Sequence, residues 1–213
     1  GHTWVQVACE GRPYWLTAMF DGEDRFLQIY FDIARPPCFA DPEDLYNKMK
    51  NVYSWDALKR TDYFVDYQNF YTFCGVLSQR QLFVNVAKEM LKVGDEARAE
   101  EIIDMCQECV PEENFPLDMI YLGFVNEYMV LDMINIYYEC GADEKASDLA
   151  ARFAAQLLQS ADFFLYNYDY AKREFEAACV HLSDLQDIAD FYGNTELSEA
   201  IEKYFTDRLG MEE

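Results

Sequence analysis

Met90-Leu-Lys-Val-Gly94-Asp-Glu-Ala-Arg-Ala99 is the stretch on which the fold turns. Ahead of Gly94, the residues Phe83, Val86, Ala87, Met90 and Leu91 recur at the spacing that gathers apolar side chains on one helical face. Behind it, Ala99, Ile102, Ile103, Cys106 and Val110 form a second stripe, which Pro111 stops. Gly94 supplies the left-handed exit from the first helix, and Asp95 caps the second. The small residue five places after the glycine lets two antiparallel helices approach closely.

The grammar recurs. A helix with Ile120, Phe124, Leu131, Ile134 and Tyr138 ends at Gly141, and Asp143 opens a partner carrying Ala146, Leu149, Ala150, Phe153 and Leu157. A third helix, with Phe175, Ala178, Leu182, Leu185 and Ala189, ends at Gly193; its partner carries Leu197, Ile201, Tyr204, Phe205 and Leu209. Gly94-Asp-Glu-Ala-Arg-Ala99, Gly141-Ala-Asp-Glu-Lys-Ala146 and Gly193-Asn-Thr-Glu-Leu-Ser198 therefore superpose, with glycine spacings of 47 and 52 residues. These exceed the about 34 residues of a tetratricopeptide repeat. Ala87, Ala99, Cys106 and Pro111 fit that repeat best, whereas Ile134 and Phe153 stand where it wants small residues. The reading is three tetratricopeptide-like antiparallel hairpins stacked as an α-α superhelix, against a generic helical bundle with glycine turns.

The segment ahead of these hairpins differs. Thr3–Cys9, Tyr14–Phe20 and Arg25–Phe31 are rich in residues that favour strands, and Asp21-Gly-Glu-Asp24 joins the last two as a turn. Those acids lack the ligand spacing of a calcium loop. Arg35-Pro-Pro37 ends the segment. Asp41-Pro-Glu-Asp44 then starts a helix carrying Leu45, Tyr46, Met49 and Val52 that fades near Trp55. The expected fold is mostly α with a small N-terminal antiparallel β element. Residues 2–60 form the β-containing part and 61–213 the helical repeat domain.

Charge excludes some functions. The 213 residues carry a formal net charge of −23 and are 51% hydrophobic, so the chain buries a core but repels phosphate backbones and anionic membrane surfaces. Residues 1–60 hold 9 acids and 7 bases, whereas 61–213 hold 31 and 10. A basic or neutral partner is preferred. The longest uncharged stretch, Tyr67–Gln79, has 13 residues; a spanning helix needs roughly 20. No initiating Met is present, and Gly1 reads as a cleavage scar on a piece of something longer.

Chemistry-bearing residues are sparse. Of the seven cysteines only Cys106 and Cys109 are close, inside a helical pattern and without a histidine to complete a zinc site, so they read as packing positions. His2 and His181 are the only histidines, and His181 reads as a half-exposed helix residue. With 40 acids, carboxylate pairs suited to glycoside hydrolysis arise by chance. No catalytic, cofactor-binding or metal-ligating residue is assigned. Tyr63–Tyr71 and Phe163–Tyr170 mix rings with acids and amides. Rings in such runs usually fill the space between helices. Tyr67, Tyr71, Tyr166, Tyr168 and Tyr170 are nonetheless the candidate interaction surface, since stacked hairpins expose a concave face that takes protein segments.

Arg12-Pro-Tyr-Trp15, Phe26-Leu-Gln-Ile-Tyr30, Leu45-Tyr46, Tyr53-Ser-Trp55, Tyr63-Phe-Val-Asp66 and the helix pair from Leu82 to Pro111 follow one another in a particular order. That ordered set resembles the soluble C-terminal region of a bacterial family of large multi-pass membrane proteins of unknown function. Its membrane part is similar to protein O-mannosyltransferases. Where glycine commonly follows the tryptophan, this chain has Asp56. The resemblance implies a non-catalytic domain on the extracytoplasmic side, docking on the parent's membrane part or presenting polypeptide acceptors. The catalytic acids would lie in membrane-proximal loops outside this chain. Two alternatives stand beside it: a free-standing tetratricopeptide-like adaptor, and a carbohydrate hydrolase using paired carboxylates.

Overall fold

The computed structural model describes residues 2–9, 12–20, 26–31, 42–62, 76–119 and 125–210. The described chain is mostly helical and divides into two compact units, residues 1–52 and 53–213.

In the first unit three strands, β1 (His2–Cys9), β2 (Arg12–Phe20) and β3 (Phe26–Phe31), form an antiparallel sheet in that order. Cys9 faces Arg12 across the first pairing and Leu16 faces Phe31 across the second, with an irregularity between Met19 and Phe20. The expected turn at residues 21–24, the stop at 35–37 and the cap at Asp41 lie outside the described residues. Helix α1 (Pro42–Asn51) buries Leu45, Tyr46 and Met49, and Lys50 Nζ donates to Tyr46 Oη at 3.1 Å. Val52 does not join that face. The helix ends one residue earlier, which leaves Val52 71% exposed.

The second unit opens with a short turn of helix, α2 (Asp56–Lys59), held by Trp55, whose ring lies 4.9 Å from that of Phe83. Three helical hairpins follow: α3 (Val76–Lys92) with α4 (Glu96–Cys109), α5 (Val125–Glu139) with α6 (Asp143–Tyr166), and α7 (Tyr168–Tyr192) with α8 (Thr195–Leu209). Neighbouring hairpins also pack on one another, α3 and α4 against α5, and α6 against α7. Ile120 and Phe124, expected at the start of the third long helix, lie outside the described residues.

The hairpin bends match bond for bond. Gly94, Gly141 and Gly193 have φ of 76°, 73° and 76°. The N–H of each glycine donates three residues back, to Leu91, Tyr138 and Asp190. The next N–H donates five back, to Met90, Tyr137 and Ala189. That pair of bonds satisfies the carbonyls a helix end leaves open. The small residue five after each glycine donates to the carbonyl four before it: Ala99 to Asp95, Ala146 to Ala142, Ser198 to Asn194. All three are buried. A larger side chain there would hold the helices apart.

The core follows the apolar stripes. Phe83, Ile102, Ile103, Ile134, Phe153, Leu157, Leu182 and Leu185 have no exposed surface. The last helix buries less, with Ile201 inside and Leu197, Tyr204, Phe205 and Leu209 half-buried. His181 departs from its expected half-exposed position. It is fully buried, because it shares the inward face of α7 with Ala177, Ala178, Leu182 and Leu185. Its ring meets Tyr128 edge-on at 4.9 Å, and burial pushes its pKa down to about 4.

Candidate functional site

Two features of the helical unit present chemistry: a polar ladder beside a cavity, and an exposed aromatic corner.

The ladder joins α4, α5 and α6. Lys145 Nζ bridges Glu100 at 2.7 Å and Asp104 at 2.6 Å. Tyr137 Oη donates to Asp104 Oδ1 at 2.8 Å and accepts from Gln107 Nε2 at 2.6 Å. Burial, with Asp104 beside it, pushes the Tyr137 phenol up, so the group stays a neutral donor. Arg152 donates to Gln107 Oε1 at 2.7 Å and pairs with Asp148 and Glu112. Gln156 donates to Glu112 at 2.9 Å and accepts from the Leu117 and Asp118 amides at 2.8 and 3.3 Å. The sequence places these groups on matching stripes. Glu100, Asp104 and Gln107 recur along α4, and Lys145, Asp148, Arg152 and Gln156 along α6, at the spacing of one helical face.

The ladder ends on the link between the first two hairpins. Phe115, Leu117 and Met119 are buried there. Buried backbone must find partners. Arg80, only 2% exposed, donates to the Phe115 and Pro116 carbonyls. Glu127 accepts from the Met119 amide at 2.5 Å, and Asn114 Nδ2 donates to the Arg60 carbonyl at 2.6 Å.

Beside this link lies a cavity of about 350 Å³, lined by Arg80, Cys106, Gln107, Glu112, Leu117, Met133 and Arg152 among others. Its polar groups are largely committed. Arg80 serves the link, and Glu112 is tied to Arg152 and Gln156. The Cys106 thiol has no exposed surface, and burial pushes it up to about 12, which removes the thiolate a nucleophile needs. Cys109, also buried, is pushed up to about 11. A glycosidase keeps one carboxyl protonated close to a second. Asp184 is a carboxyl held above its ordinary value, by burial and by Asp187, but neither lines the cavity. Among the described residues no group of three His, Cys, Asp or Glu side chains is placed to hold a metal ion.

The aromatic corner sits where α6 meets α7. Only Asn167 separates these helices; its Nδ2 donates to the Phe163 carbonyl at 2.8 Å, and Ala171 (φ −125°, ψ 29°) breaks the helical path beyond it. Three sequence candidates come together here. Tyr166 is 90% exposed, Tyr170 95% and Tyr168 40%, with Phe163 beside them at 63%. Core filling, the usual fate of such rings, holds within the run only for Phe164; Tyr168 packs edge-on at 5.7 Å against Phe175, a buried ring beyond the run. The run straddles a corner, so Phe163, Tyr166 and Tyr170 point away from the bundle while Phe164 points in. Tyr67 and Tyr71 lie outside the described residues. Sequence reasoning misses the polar ladder and Arg80, although the matching stripes on α4 and α6 are there to be seen.

No helix among the described residues is long and apolar enough to cross a membrane. No protein-family model, curated protein or solved structure matches the chain.

Proposed function

We propose that this chain is a non-catalytic docking domain. It is built of tetratricopeptide-like hairpins that follow a small antiparallel β element in the sequence, and it belongs to a glycosyltransferase-like membrane protein. The aromatic corner is its contact surface, and the partner is a polypeptide: the parent's membrane domain or an acceptor chain. One observation carries the reading. Tyr166, Tyr170 and Phe163 are held 63–95% exposed at a helical corner, where burial against a partner would gain most. The repeated bends support a scaffold role, since stacked hairpins offer surface rather than a reaction centre. The ordered resemblance along the chain supports the parent's class.

The test is a photo-reactive phenylalanine analogue at position 163, beside the two tyrosines and itself exposed, in the full-length parent. The reading expects crosslinks to polypeptide that Tyr166→Ser together with Tyr170→Ser abolishes, with the thermal midpoint unchanged. Crosslinks that persist in the serine variant, or none above a buried-site control, would overturn it.

A further inference from the structure

The three bends lie along one edge. Lys145, just past the second bend, reaches Glu100, just past the first. Tyr192, before the third, stacks on Tyr138, before the second, at 4.2 Å and 9°, and Asn194 Nδ2 donates to Tyr138 Oη at 3.3 Å. Phe191 stands on this step, edge-on to Tyr192 at 4.8 Å, and is 81% exposed. It is an apolar anchor with no occupant among the described residues.

Charge around the anchor selects the occupant. From residue 180 to 202 the chain carries six carboxylates and neither lysine nor arginine. Glu196, in the first turn of α8, suits the positive end of its helix. Asp187, Asp190 and Glu139 do not have that excuse. Asp190 and Glu139 sit in the last turns of α7 and α5, where the helix dipole disfavours an anion, Asp187 lies one turn before Asp190, and neither helix has a basic residue in its last turn. All three are exposed. Local helix physics argues against carboxylates at these places, yet Asp187 and Asp190 stand four and one residues before Phe191 on α7, and Glu139 follows Tyr138, the ring stacked on Tyr192.

We propose that this edge docks a lysine- and arginine-rich polypeptide segment, whose cations meet Asp187, Asp190 and Glu139 while an apolar side chain or cation seats on Phe191. A cation over an aromatic face and ion pairs around a ring reinforce one another. A second copy of this chain is the poorer occupant, because its own net charge of −23 opposes approach. The proposal does not depend on the aromatic corner, which lies at the far end of α6 and α7 from the bends.

The probe is a 16-residue peptide alternating Lys-Arg pairs with leucine, titrated into the whole chain at about 50 mM salt, the low-salt regime where surface ion pairing shows. Amide shifts are followed by NMR. The expected result is a perturbed set centred on residues 187–196 and 139, with binding weakened at least fivefold by Phe191→Ser and by Asp190→Asn with Asp187→Asn. Tyr166→Ser should leave it unchanged. A peptide with Glu in place of Lys and Arg should not bind. Shifts spread over every acidic surface, or equal binding by Phe191→Ser, would reduce the effect to non-specific charge attraction and overturn the proposal. Loss of binding in Tyr166→Ser would also overturn it, moving the basic segment to the corner.

Discussion

Protonating His181 should weaken the fold, and the amount follows from its burial. The ring has no exposed surface, and its pKa is lowered from 6.5 to about 4 by burial. A histidine depressed in the folded state binds fewer protons there than in the unfolded chain. Its contribution is therefore complete above pH 6.5, falls as pH drops through the window from 6.5 to 4, and is gone below it. The full loss is about 3 kcal/mol, since every tenfold change in proton affinity between the two states is worth about 1.4 kcal/mol. At pH 5.5 roughly 1.4 kcal/mol of it should already be missing. Acid also titrates the many carboxylates, so the measurement is a difference. Urea unfolding of the wild type and of His181→Leu is compared at pH 7.5, 5.5 and 4.5. The leucine variant should lose less stability on acidification, by about 1.4 kcal/mol at pH 5.5. Parallel pH curves for the two proteins would refute the argument, as would an imidazole resonance of His181 titrating near pH 6.5 in the folded protein.

Gly141→Ala should cost about 1 kcal/mol in urea unfolding; a Cβ there meets no atom within 4 Å, so the penalty is purely that of φ +73°. Gly141→Asn should recover part of it, and equal stability of all three would show that the bend is not left-handed. Arg80→Met should cost about 3 kcal/mol, because the Phe115 and Pro116 carbonyls lose a buried charged donor. Hydrogen exchange at Leu117 and Met119 should accelerate with it, and a loss below about 1 kcal/mol would mean water replaces the guanidinium. The Cys106 thiol should resist an aromatic disulfide reagent at pH 8 in the native protein and react fully in denaturant; prompt native labelling would contradict its burial.

What the sequence discloses depends on how local the cause is. The bends are legible because a left-handed exit, a cap and a small contact residue all fall within six positions. The stripes of α3, α4, α6 and α7 are legible because burial repeats with the helical period. His181 misleads because one polar residue on an apolar face looks tolerable at the edge, and only the neighbouring helices decide that it is inside. The aromatic run misleads for the opposite reason. Its composition suits a core, but Asn167 and the irregular Ala171 turn the chain at that point and carry Tyr166 and Tyr170 outward. The polar ladder pairs residues 30 to 45 positions apart, from Gln107 with Tyr137 to Arg152 with Gln107. No single window contains both partners, so it emerges only when two stripes are laid side by side.

The identical backbone joints divide the labour between the two margins of the hairpin array. On the margin where the three glycines sit, one corner solution is reused, so an extra hairpin spliced in there would need no new geometry. The connections on the opposite margin are each bespoke: a long arginine-pinned link after α4, and a single asparagine after α6. Lengthening or swapping whole hairpins should therefore succeed or fail at that second margin.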